Sequence, residues 1–231
     1  MRDQPVRRIF DVVYPLFIYY ILYYCLQVLF ATIFIDSFGS LFCLLLSAML
    51  CLPFAIFFYR RAIVIRNVAR PKGREWIECV AWIAGIALLG VGANLLVAHL
   101  PLQEWSEGYA STSKILRDGS LTVRILTNAV AVPLLEELVY RGLVCGQIEA
   151  WGSVGSWKTP KPKTPARVYR FTAVVVSALI FGALHLNVIQ FLYAFLMGLF
   201  LGTAYIRTHR IWVVFLAHGC TNLLVVLLTL G

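Results

Sequence analysis

Between Asp11 and Asp36, Asp36 and Arg60, Glu78 and Glu104, Arg170 and Arg207, and again after Arg210, this chain has no Asp, Glu, Lys or Arg. Each interval is long enough for a helix rising about 1.5 Å per residue to cross a hydrocarbon layer about 30 Å thick. Composition agrees: 61% of residues are hydrophobic and 13% charged, whereas soluble domains average roughly 45–50% and about 25%. An ordinary water-soluble domain is excluded. The pattern predicts an all-α polytopic membrane protein with seven spans, at 9–35, 38–59, 77–98, 123–147, 171–187, 188–206 and 211–230. The first is too long for a signal-peptide core and no small-residue cleavage site follows it, so it is expected to be retained.

The connections fix an orientation. The N-terminus, the 60–76 loop, the 148–170 loop and the 207–210 turn together hold sixteen basic residues, and the alternate connections hold only Lys114, Arg117 and Arg124. Positive charge collects on the cytoplasmic side, which predicts a cytoplasmic N-terminus and an external C-terminus. The net charge of +9 therefore reads as topology and attraction to anionic headgroups, and no nucleic-acid partner is expected. Thr159-Pro160-Lys161-Pro162-Lys163-Thr164-Pro165 is predicted to be a non-helical basic strap, and 99–122 to include an interfacial helix. The six cysteines form no CxxC pair, so neither a zinc knuckle nor a disulfide framework is indicated. The chain divides into an N-terminal three-helix region with a basic cytoplasmic loop (1–98) and a four-helix core (99–231).

Only the later spans carry charge at depth. A charged side chain at the bilayer centre costs at least about 2.5–3.5 kcal/mol, so Glu136-Glu137-Leu-Val-Tyr-Arg141 demands an explanation. Glu137 and Arg141 stand four residues apart and share a helix face, placed for an ion pair. Glu136 points about 100° away with no helical partner, and an unpaired carboxyl in a low-dielectric interior is poised to exchange a proton. Pro133 should loosen the helix just before it. On the last span His218 and Asn222 share a face, with Gly219 between them for close helix approach. Phe181 and His185 repeat the spacing on the fifth. His209 reads as solvated surface and His99 as an interfacial residue. Gly198 and Gly202 form a small-xxx-small packing stripe. A lone intramembrane His is more often a helix-to-helix hydrogen-bond partner than a catalyst. One acid, two His and one Asn on three helices shift that balance.

The ordered motifs EExxxR (Glu136 to Arg141), FxxxH (Phe181 to His185) and HxxxN (His218 to Asn222) resemble those of the CPBP family, over about residues 120–230. That family contains CAAX prenyl proteases of the Rce1 type and bacteriocin-processing or bacteriocin-immunity relatives. The resemblance implies an intramembrane endopeptidase in which Glu136 and His185 activate a water. It assigns His218 and Asn222 to the oxyanion, Glu137 and Arg141 to an orienting clamp, and Phe181 to the cavity wall. If zinc is used, Glu136, His185 and His218 would be its ligands; a metal-free glutamate mechanism is favoured, because no HExxH is present. The expected partners are the bilayer and a membrane-associated peptide or protein substrate, and the compact chain looks bacterial and cell-membrane resident. Two other classes compete: a non-catalytic scaffold or immunity protein binding a membrane partner such as a sensor kinase, and a proton relay.

Overall fold

A computed structural model describes residues 5–99, 107–153 and 165–229. The described residues are helical apart from short connections. Helix α1 (Pro5–Phe38) turns at Gly39 into α2 (Ser40–Arg61). Gly39 has φ +78°, a left-handed conformation that favours glycine. Helix α3 (Arg74–Ala98) and the short α4 (Glu107–Leu116) follow. A long helix, α5, then runs 121–153, succeeded by α6 (Ala166–Ala183), α7 (Val188–Thr208) and α8 (Ile211–Leu228).

Among the described residues six helices are long and apolar enough to cross a membrane: Arg8–Phe38, Ser40–Arg61, Arg74–Val97, Ala166–Ala183, Val188–Thr208 and Ile211–Leu228. The expected count of seven is thus met only in part. The stretch 123–147 is helical but is not among the six, for a physical reason. It carries Arg124, Glu136, Glu137 and Arg141, and from Glu137 through Ala150 every residue is buried. It is the pillar that α1, α2 and the last three helices pack against. Those outer helices turn apolar side chains outward, as at Phe17 (62% exposed), Leu88 (71%) and Phe171 (70%), the inside-out pattern of a protein solvated by lipid.

Helix α1 packs on α2, α3 on α8 and α6 on α7, while α5 touches α1, α2, α6, α7 and α8. The two buried clusters mix early and late helices. One joins Val12 and Ile86 to Val144, Leu201 and Val214, and the other joins Tyr19, Ala48 and Cys51 to Leu135, Tyr140 and Phe181. The small-residue stripe on α7 does pack closely: a Cβ at Gly198 would lie 2.9 Å from Ala178, and one at Gly202 would lie 3.2 Å from Val174.

Two expectations for the connections change. Helix α5 runs on to Ser153 and α6 begins at Ala166, so both ends of the 148–170 stretch are helical; the predicted basic strap at 159–165 falls, but for Pro165, outside the described residues. His209 is not solvated surface. It caps α7 in the left-handed conformation (φ 51°) and reaches both oxygens of buried Glu149, at 3.0 and 3.1 Å. Arg170 reaches the same carboxylate at 3.2 Å. Glu149 is separated by 60 residues from His209, and no local spacing reveals such a pair.

Candidate active site

The helix bearing the acids is locally widened. Residues Leu126–Ala131 and Glu137–Cys145 are wound as π-type turns, which mark functional positions more often than chance. Pro133 supplies a cause for the first. The Val132 N–H bonds five residues back to Thr127 O, and Pro133 has no N–H to offer. The Asn128 carbonyl is therefore left without either of the donors that ordinarily reach it. Asn222 of α8 fills the gap, its Nδ2 donating to Asn128 O at 2.8 Å. One residue away, Gly219 lets α8 close in, because a Cβ there would sit 2.6 Å from Ala129 O.

Glu137 is the hub. Its Oε1 accepts from Arg141 Nη1 at 3.0 Å, both side chains being fully buried, and from His218 Nδ1 at 2.9 Å. The ion pair expected from the i,i+4 spacing is formed; the link to His218, 81 residues away, is one that sequence reasoning missed. Arg141 also lies over the Phe181 ring, 4.4 Å from its centroid, a cation–π contact that partly compensates guanidinium nitrogens left without hydrogen bonds. A carboxylate can only accept, so Nδ1 of His218 carries its proton and Nε2 faces the other acid. That nitrogen is 3.9 Å from Glu136 Oε2, too far for a direct hydrogen bond.

His185 is placed differently from expectation. Helix α6 ends at Ala183, and Leu186 has φ 57°, so His185 stands in the turn beyond the helix and not inside a span. Its Nδ1 donates to Phe181 O at 2.8 Å, capping one of the carbonyls that a helix end leaves unsatisfied. That bond fixes the ring and leaves Nε2 as the acceptor of the neutral imidazole. Phe181 meets His185 edge-on at 5.1 Å and His218 at 6.0 Å between centroids.

Glu136, His185, His218 and Asn222 all line one cavity of about 550 Å³, with Phe181 in its wall. Part of the wall comes from α1, through Tyr19, Tyr20 and Tyr23, and Tyr20 Oη is 2.9 Å from Tyr140 Oη. Sequence reasoning did not single these out, although tyrosines at 19, 20, 23 and 24 already repeat at four-residue spacing along one face. Among the described residues no group of three or more His, Cys, Asp or Glu is arranged to hold a metal ion. Glu136, His185 and His218 share the cavity without converging as a ligand set, so the conditional zinc trio does not assemble.

Comparison with known proteins points the same way. The family model for the type II CAAX prenyl endopeptidase Rce1-like proteins matches residues 118–224. YdiL of Bacillus subtilis (strain 168), named as a proposed membrane peptidase, is 27% identical over 111 residues, which is 48% of this chain and 39% of that protein. The match thus spans about two fifths of the relative's length. No solved structure matches significantly. Neither match speaks to the bacteriocin link that the resemblance carried. Residues 118–224, which hold every motif position from Glu136 to Asn222, are thus similar to the Rce1-like endopeptidases.

Proposed function

We propose that this protein is an intramembrane endopeptidase that hydrolyses a peptide bond of a membrane-associated peptide or protein. The observation that carries the reading is the convergence of Glu136, His185, His218 and Asn222 from α5, α8 and the α6–α7 turn on one cavity. Glu136 is the one acid there without an ion-paired base at hydrogen-bonding distance, which suits a group that must accept and return a proton. In the proposed cycle Glu136, with Nε2 of His185 as a second acceptor, removes a proton from water. The water oxygen bonds to the substrate carbonyl carbon and the carbonyl electrons move onto oxygen.

That oxyanion is held by His218, whose Nε2 donates when the ring is an imidazolium balanced by Glu137, and by the second N–H of the Asn222 amide. Collapse of the tetrahedral adduct breaks the C–N bond, and Glu136 delivers its proton to the departing amine. Glu137 and Arg141 act through His218 as positioning residues, and Phe181 shapes the wall. Residues 99–231 then form the catalytic part and 1–98 the supporting helices that close the cavity. The chain sits in a cell membrane with its N-terminus cytoplasmic and its C-terminus external.

The test compares the membrane peptidomes of cells expressing the wild-type protein and the Glu136→Ala variant at equal inserted levels. Fragments present with the wild type and lost with the variant are expected. Identical peptidomes would remove the enzyme reading in favour of a scaffold.

A further inference from the structure

The cavity has a second polar end. Arg124, near the start of α5, lines it together with Glu136, yet Arg124 is only 8% exposed. Its Nη2 donates to Thr229 Oγ1 at 2.9 Å, and its buried Nε has no hydrogen-bond partner. Among the described residues no acid pairs with it, although the other buried arginines, Arg141 and Arg210, each have one. A buried guanidinium with neither a counter-charge nor a full set of acceptors is costly. An anionic ligand entering the cavity would relieve both deficits. Exposed neighbours, among them Arg117 and Leu116, put this end at the mouth, and Glu136 lines the same cavity farther along α5.

Resting on the peptidase reading above, we propose that Arg124 is a carboxylate subsite that anchors the substrate and sets where it is cut. Twelve helical residues separate Arg124 from Glu136, about 18 Å at about 1.5 Å per residue. An extended peptide covers that distance in about five residues at 3.3–3.6 Å each. The substrate therefore presents a carboxylate about five residues from its scissile bond. The carboxylate is either the chain's own C-terminus or an Asp or Glu side chain at that position.

Two measurements on the full-length protein in phosphatidylcholine nanodiscs test this. In the first, binding is read by fluorescence anisotropy with a dye-labelled degenerate apolar decapeptide mixture, made with a free C-terminal acid, with a C-terminal carboxamide, and as a carboxamide with one internal Asp. The acid form should bind about tenfold tighter than the plain carboxamide, the margin of one charge-assisted hydrogen bond. The internal-Asp form reports whether a side chain can substitute. Arg124→Gln should collapse the acid-to-amide ratio towards one, Arg124→Lys should keep part of it, and Thr229→Val should lower it. Thermal unfolding of each variant confirms that it is folded.

The Glu136→Ala variant should keep the binding ratio, because binding needs no chemistry. In the second measurement, mass spectrometry of cleaved mixtures should place the cuts about five residues from the carboxylate. Cuts that ignore the carboxylate's position, with cleavage still dependent on Glu136, would overturn the subsite and leave the peptidase standing. Absence of any cleavage with the acid-to-amide ratio intact would overturn the peptidase and leave a carboxylate-binding cavity. A ratio near one in the wild type, or a ratio that survives Arg124→Gln, overturns the subsite outright. Loss of the ratio when phosphatidylglycerol is added would assign Arg124 to lipid phosphate and also overturns it.

Discussion

Glu136 and Glu137 are neighbours in sequence and opposites in surroundings. Glu137 is enclosed between Arg141 and His218, so removing it strands a guanidinium in the interior. Glu137→Ala should therefore lower stability by about 3–5 kcal/mol, and adding Arg141→Met should recover much of the loss. Glu136→Ala removes a carboxyl that pairs with nothing directly and should leave stability near wild type. Thermal unfolding in detergent compares the three, and equal losses for the two acids would contradict the division of roles. The division itself was readable from the i,i+4 rule applied to Glu137 and Arg141. The bond from Glu137 to His218 was not, because it depends on how α8 rotates against α5. Arg124 looked like one of three basic residues at a membrane edge until its burial beside the cavity became visible.

Among the elements, α5 shows how one proline organises a site. Because Pro133 cannot donate, the Asn128 carbonyl turns to Asn222, so Asn222 holds α8 against α5 as well as facing the cavity. Asn222→Ala should cost about 1–3 kcal/mol by leaving that carbonyl unsatisfied. In a Pro133→Ala background, where a backbone N–H returns, the same change should cost clearly less. Strict additivity in this double-mutant cycle would contradict the account. Gly219→Ala places a methyl against Ala129 O and should destabilise by about 1–3 kcal/mol through overpacking. Pro133 and Gly219 were visible in the sequence as loosening and close approach. Their joint consequence needed the register between two helices. His185 shows the limit from another side: Phe181 and His185 have helical spacing, yet the helix ends between them at a turn with left-handed Leu186, and the sequence signal for that break is Asn187, which caps the start of α7.

At the scale of the molecule, charge-free intervals were enough to give the helical membrane class and most helix positions. The seventh expected span, 123–147, lies outside those intervals and is not among the six candidate membrane helices of the described residues, because a helix enclosed by protein can carry charges that lipid would reject. The orientation rests on sixteen basic residues against three. In a Cys25→Ser background, Lys114→Cys should react with a membrane-impermeant maleimide added to intact cells, and Arg70→Cys should react only after permeabilisation. The reverse pattern would invert the topology.

The central claim is that four side chains from separate parts of the fold perform one hydrolysis, and purified protein tests it most directly. Reconstituted wild-type, Glu136→Ala and His185→Ala proteins should be compared on a peptide identified from the peptidome, with unfolding temperatures measured alongside. Both variants are predicted to insert and to cut nothing; Glu136→Ala should unfold close to the wild-type midpoint, and His185→Ala should be about 1–3 kcal/mol less stable because the Phe181 carbonyl loses its donor. Wild-type rates of cleavage by both would contradict the account.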